Sequence, residues 1–366
     1  MKKFYFFVLG VFFTSISWSQ NYEIYVSDAG NFNNPPWQIL KFEADGSNPQ
    51  VFINTNLGWP QDILFLENKN EVLISNLTTN TITRHDATTG QYINNFATGI
   101  SGPTRMKIGA DSLLYVLQWS GNGKVLRYDL DGVFVDEFTS IGIPSAIGID
   151  WDNSGNLFVS SYTTGQIYKF NSTGNSEGII ISSLNGPTNI WIENNDIFIV
   201  EYNGGKVKQY SLGGPFVNDF ITGLSQPEGV AFRPGGNILI GNGGTSSVRE
   251  YTSTGLFINN VIPSGSGNLL QPNAVVLRTI GNTSVSENVA ENISVKPTIG
   301  TTFFIDDHSN IIQNIKIYNV LGLQVEEINK SNEWSWNAEE YSDGLYFIST
   351  MLKDGNFFFV KVIVKK

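Results

Sequence analysis

The chain contains no cysteine and only two histidines, His85 and His308. Without cysteine there is no disulfide to staple the fold and no thiol to act as nucleophile or metal ligand. Charge is sparse as well: 15 % of residues are charged, no run of Lys or Arg occurs, and the formal net charge is -11. An acidic chain of this kind is a poor partner for nucleic acid or an anionic membrane surface. Past the first twenty residues, no apolar stretch nears the ~20 residues that a membrane-spanning helix needs. No transmembrane segment is therefore expected in the mature chain. What the sequence has instead is 37 glycines and 13 % aromatic residues. That balance suits many short strands joined by tight turns, held by an apolar core alone.

The first residues have a different character. Lys2 and Lys3 precede an apolar stretch from Phe4 to Phe13, followed by Ser17-Trp18-Ser19. This is the pattern of a secretory signal peptide over residues 1–19, with cleavage expected after Ser19. The remainder is long enough for one large domain and a small one.

Periodicity organises the large domain. A proline recurs at Pro60, Pro103, Pro144, Pro187, Pro227 and Pro272, in steps of 43, 41, 43, 40 and 45 residues. Each is followed by an apolar run such as Ile63-Leu64-Phe65 or Val230-Ala231-Phe232, then a polar turn, then a second strand such as Val72-Leu73-Ile74 or Ile238-Leu239-Ile240. Ile24-Tyr25-Val26 supplies the sixth second strand. A third strand ends in a ring column of Phe42, His85, Tyr128, Phe170, Tyr210 and Tyr251. Four residues later, or five after His85, comes a glycine: Gly46, Gly90, Gly132, Gly174, Gly214 and Gly255. Glycine at a fixed turn position points to a backbone angle other residues disfavour. Four short strands every ~40–45 residues is the signature of propeller blades. The expectation is an all-β chain with a six-bladed β-propeller over residues 20–278. The lone strand after Pro272 should complete the N-terminal blade and close the ring, removing two exposed sheet edges.

Two motifs carry a family resemblance for this region: Gln226-Pro227-Glu228-Gly229-Val230-Ala231-Phe232, and the run from Gly148 through Asp152-Asn153-Ser154-Gly155-Asn156 to Val159. They resemble the six-bladed propellers of the NHL-repeat kind and their regucalcin/gluconolactonase and virginiamycin-lyase-like relatives. The resemblance implies a ligand site at one mouth of the central channel, lined by the loops entering each first strand. The two residues after each repeat proline are then the place to look. Among them Asp62, Asn189, Glu228 and Asn273 form an oxygen-rich set that could hold a hard cation such as Ca²⁺. The regucalcin-like relatives use a Glu/Asn/Asp metal site there, but their flanking motifs are absent. The plainer reading is a polar, water-filled mouth.

Asp150, Asp152 and Ser154, followed by Gly155, make a second, weaker Ca²⁺-like turn, which a tight turn between two strands would favour anyway. His85 stands in the ring column and reads as a packed ring, and His308 lies in the C-terminal region. With no histidine or cysteine at the mouth, a histidine base, a multi-histidine zinc site and Ser-His-Asp catalysis are all disfavoured. Trp37, Trp59 and Trp119 fall in or beside loops, where packing is favoured over sugar stacking.

The C-terminal stretch carries a second resemblance. In order it contains Val295-Lys296-Pro297-Thr298, Phe303-Phe304-Ile305, the run Ile315-Lys316-Ile317-Tyr318-Asn319-Val320-Leu321-Gly322, then Ser342-Asp343-Gly344-Leu345-Tyr346-Phe347-Ile348, and a final run through Lys361 to Lys366. This resembles the type A C-terminal sorting domain of the type IX secretion system, with Pro297, Tyr318, Gly322, Gly344, Tyr346 and Lys361 as its marks. Only Pro297 remains of the Pro-Asn-Pro often found near the start. The resemblance implies the type IX secretion machinery as a partner, export through the outer membrane, and a cell-surface or extracellular protein. A polar linker is expected over 279–290, with cleavage in or near Asn282–Glu291. The sorting domain over 291–366 is expected to be a small Ig-like β-sandwich of about seven strands.

Together these features read as a monomeric exported propeller acting as a protein- or glycan-binding module rather than an enzyme. The competing reading is a Ca²⁺-dependent lactonase or hydrolase of regucalcin-like type, with its site at the channel mouth.

Overall fold

A computed structural model describes residues 22–280, 293–307, 310–319, 323–328, 334–353 and 357–366, the side chains of 357–359 excepted. The expected signal peptide, nearly all of the linker and its cleavage site, His308 and Gly322 lie outside the described residues. The chain divides into two compact units, one ending at Thr279 and the other running from Ile280 to Lys366.

The first unit is a six-bladed β-propeller. Five blades are built in sequence order as four-stranded antiparallel sheets, opening with the inner strands Pro60–Leu66, Pro103–Ile108, Ala146–Trp151, Pro187–Glu193 and Pro227–Phe232. We number these blades 2 to 6. Blade 1 is composite. Its inner strand is Pro272–Thr279, which pairs with Tyr22–Asp28, followed by Gln38–Phe42 and Gln50–Ile53. The inner strands follow one another around a ring, with Pro272–Thr279 meeting Pro60–Leu66 at the closure. Arg278 reinforces this seam by donating to both carboxylate oxygens of Glu67 in blade 2, each at 2.9 Å.

The strand patterns follow from this stacking. Second strands are covered on both faces, so Val72, Leu73 and Ile74 are all fully buried. Outer strands are half solvated, as in Phe257–Ile262, whose first four residues are exposed. The propeller has no single central core. Apolar clusters lie at each of its six blade-to-blade seams. The glycine column belongs to those seams. All six glycines have positive φ, and a Cβ on Gly174 would sit 1.9 Å from the carbonyl oxygen of Phe138 in the preceding blade. His85 is fully buried between Gly90 O (3.1 Å) and Thr83 Oγ1 (3.0 Å). Burial depresses its pKa and keeps the ring neutral.

The second unit has two sheets. One orders Ile293–Lys296, Thr302–Asp307 and Trp334–Asn337; the other orders Ile299–Gly300, Phe357–Val364, Gly344–Leu352, Ile312–Asn319 and Gln324–Ile328. The count exceeds the expected seven because the two-residue strand Ile299–Gly300 pairs in parallel with the last strand. Phe303 and Trp336 stack at 5.3 Å within a core that includes Ile315, Ile317, Ile348 and Val362. Tyr346 packs on Trp336 and donates to Ser342 O. Tyr318 is half-buried one residue before the end of Ile312–Asn319, Gly344 opens Gly344–Leu352, and Lys361 is exposed opposite Phe347. Pro297 follows the first strand.

Candidate functional site at the channel mouth

Each second strand of the propeller ends in a buried polar residue: Asp28, Asn76, Gln118, Ser161, Glu201 or Asn242. All but Ser161 accept a backbone N–H from the loop that leads into the same blade. The donors are Gly58 to Asn76 (2.9 Å), Ser101 to Gln118 (3.2 Å), Asn185 to Glu201 (2.8 Å), Ser225 to Asn242 (2.7 Å) and Gln271 to Asp28 (2.8 Å). Ser161 donates instead to Pro144 O. This column pins the loops and fixes where the residues after each proline point. A buried N–H left without such a partner would cost ~1–3 kcal/mol.

The residue after each polar end rises over the mouth. It is Leu77, Trp119, Tyr162 and Tyr202 in blades 2 to 5, but Ala29 and Gly243 in blades 1 and 6. The result is a crescent of rings, with Trp119 and Tyr162 at 5.6 Å and Tyr162 and Tyr202 at 6.1 Å. Phe32 and Trp59, edge to face at 5.3 Å, add a second wall. These side chains, with Ile147, enclose a cavity of about 340 Å³ whose floor is Gln61, Thr188, Glu228 and Asn273. All four floor residues are buried. The Trp59 indole N–H is buried without a protein partner.

Two of the expected cation ligands, Glu228 and Asn273, lie in this floor. The other two, Asp62 and Asn189, line a separate cavity of about 300 Å³ along the channel, together with Arg105. Arg105 joins the sets. It starts in blade 3 and reaches across the channel: Nη2 donates to Glu228 Oε1 of blade 6 (3.0 Å) and to Asn273 O of blade 1 (2.5 Å), and Nε donates to Asn189 Oδ1 of blade 5 (3.2 Å). Asn189 Nδ2 donates to Glu228 O at 2.7 Å. With its amide turned to satisfy its neighbours, Asn273 donates to Glu228 Oε2 (2.7 Å) and accepts from Gln61 Nε2 (2.8 Å). Asp62 stands apart, accepting the N–H groups of Ile63 (3.0 Å) and Met106 (2.8 Å).

Burial drives the electrostatics of this layer. It pushes the Glu228 carboxyl up to about 7 against the pull of Arg105, with a smaller push from Asp62. Burial also raises Asp62, again opposed by Arg105. The Tyr202 hydroxyl is pushed up by burial first and by the nearby Glu228 charge second. An uncompensated buried carboxylate would neutralise itself this way; the guanidinium limits the shift.

The residues do not fit a metal as they stand, because the guanidinium already sits where three of the converging oxygens point. Among the described residues, no group of three or more His, Cys, Asp or Glu could hold a metal ion. The second Ca²⁺-like turn is likewise spoken for. Asp150 takes Lys107 Nζ (2.5 Å) and the N–H of Ile192 (2.8 Å), whereas Asp152 accepts the N–H groups of Ser154 and Asn156, both at 2.9 Å. Trp59 and Trp119 pack on rings of neighbouring blades, Phe32 and Tyr162, and also line the cup. Trp37 does not line it and donates to Phe32 O. The sequence alone does not mark the crescent as a unit, although its members share one offset from the second strands.

The molecule is thus a six-bladed propeller joined to a small β-sandwich. Residues 292–365 of that sandwich match the family model described as the secretion system C-terminal sorting domain, the type IX tail that marks a protein for export through the outer membrane. The propeller is similar to solved structures across about 70 % of the chain. One, from a nidogen/laminin complex, is 12 % identical with a TM-score of 0.58 and 98 % of its own chain covered. A protein of unknown function from Bacteroides caccae is 15 % identical over 70 % of this chain and 98 % of its own, with a TM-score of 0.56. A gluconolactonase from Xanthomonas campestris is 11 % identical over 73 % of this chain and 86 % of its own, with a TM-score of 0.50. At these identities the likeness is one of fold. No curated protein matches the chain in sequence.

Proposed function

We propose that this exported propeller is a glycan-binding module, displayed at the cell surface or released, whose cup takes one or two units of a neutral saccharide. The aromatic cup carries this reading. Rings offer flat apolar faces that pair with the C–H faces of sugars, while the floor supplies amide and hydroxyl groups. The free indole N–H of Trp59 adds a donor for a sugar oxygen. Calorimetry against soluble glycans tests it. Tyr162→Ala is expected to weaken binding about ten-fold or more, a loss of ~1.4 kcal/mol or more, without lowering the melting temperature by more than a few degrees. Equal affinity in wild type and variant would refute the assignment.

A hydrolytic reading is favoured by one observation, the Glu228 carboxyl poised at about 7 beneath the cup. A group titrating there can accept or donate a proton at neutral pH. On that reading lactone or ester turnover would be present in wild type and vanish in Glu228→Gln. Absence of turnover across a lactone and ester panel leaves the binding role.

A further inference from the structure

We propose that Arg105 is a built-in cation, holding the position on the channel axis that a divalent metal would otherwise take. The cup then works without metal, and shortening Arg105 would turn its floor into a divalent-cation site. The inference goes beyond the ligand reading and stands whether or not the cup takes a sugar.

The geometry is that of a cation and its ligands. Three oxygens from three different blades, Glu228 Oε1, Asn273 O and Asn189 Oδ1, converge on one guanidinium at 3.0, 2.5 and 3.2 Å. Arg105 itself comes from the blade across the ring, so it bridges the channel rather than lying along its wall. Both Arg105 and Glu228 are buried, at 5 % and 6 % exposure. A carboxylate at that depth needs a positive partner, which can be a guanidinium or a metal ion but not both at one point. Arg is always protonated and presents its donors in a fixed planar fork, which suits it to oxygens arriving from several directions. Replacing it by a short side chain leaves a space lined by carboxylate, amide and carbonyl oxygens. Ca²⁺ accepts that mixture at ~2.3–2.6 Å and completes its shell with water.

The side chain also separates two compartments. Glu228 and Asn273 face the cup, whereas Arg105 and Asn189 line the cavity on the channel side. A metal ion would expose open coordination positions to the cup floor. The guanidinium closes that floor through its Nη2 and Nε bonds, with Nη1 buried and without a protein partner.

The test is Ca²⁺ titration of the full chain after EDTA treatment, with melting followed in parallel. Wild type should give no stoichiometric heat, and its melting temperature should be the same in Ca²⁺ and in EDTA. Arg105→Ala should bind one Ca²⁺ at least about ten-fold more tightly than any wild-type uptake, and Arg105→Ala/Glu228→Gln should lose it. Stoichiometric Ca²⁺ binding by wild type would overturn the proposal, as would a folded Arg105→Ala that binds none. If Arg105→Ala is unfolded alone, added Ca²⁺ should restore folding, and failure to do so counts against the proposal.

Discussion

Glu228 is a buried carboxyl, and its titration gives a direct prediction. Its folded-state value of about 7 lies above the 4.5 of the free side chain. Between those values the folded chain keeps a proton that the unfolded chain has released. Its contribution therefore favours the fold below pH 4.5 and is lost as pH rises toward 7. Glu228→Gln should remove on the order of 1–3 kcal/mol of that pH-dependent loss, read as a flatter profile of denaturation midpoint against pH. Parallel wild-type and variant profiles would contradict this. The repeat prolines, read with what the propeller resemblance implies, put Glu228 and Arg105 among the candidate mouth residues. They could not reveal that Arg105 spans the channel to blade 6. That reach depends on the ring's radius and on which blades stand opposite each other, and neither is written in a local motif.

At the level of strands and turns, the glycine column and the loop-pinning column do complementary work. The glycines let adjacent blades approach until a backbone carbonyl touches the turn. Gly174 and Gly178 separate this steric effect from backbone preference. Both have positive φ, 80° and 96°, but a Cβ on Gly178 meets nothing within 4 Å, whereas one on Gly174 strikes Phe138 O. Gly178→Ala should cost about 1 kcal/mol, and Gly174→Ala at least about twice that, measured by urea unfolding. Equal costs would mean the seam gives way easily. The glycine column was legible because one residue type recurs at a near-fixed offset. The polar ends of the second strands were not, because Asp, Asn, Gln and Glu all accept the loop N–H there and Ser161 meets its loop as a donor instead. The crescent beyond them was hidden for the same reason: Leu, Trp and Tyr occupy it in four blades, and Ala and Gly in the others.

At the scale of the whole molecule, repetition made the fold readable. Six blades and the composite closure follow from alternating apolar runs at a regular period, whereas the C-terminal sheets were expected from that stretch's resemblance to a sorting domain. What repetition cannot encode is the ligand, since binding depends on the positions where blades differ. The C-terminal unit carries the export signal, and on the proposed reading the propeller carries recognition. Deleting residues 292–366 should leave the chain inside the outer membrane, as judged by cell fractionation, and export of the truncated chain would contradict the role of the sorting domain.

The central claim, that the cup is a metal-independent saccharide site, is tested most directly by tryptophan emission during saccharide titration in EDTA. Trp59 and Trp119 both line the cup, so a bound sugar must change their surroundings. The account predicts a saturable emission change that survives EDTA and is lost or sharply reduced in Trp119→Ala. No change with any saccharide, or a change that requires Ca²⁺, would contradict it.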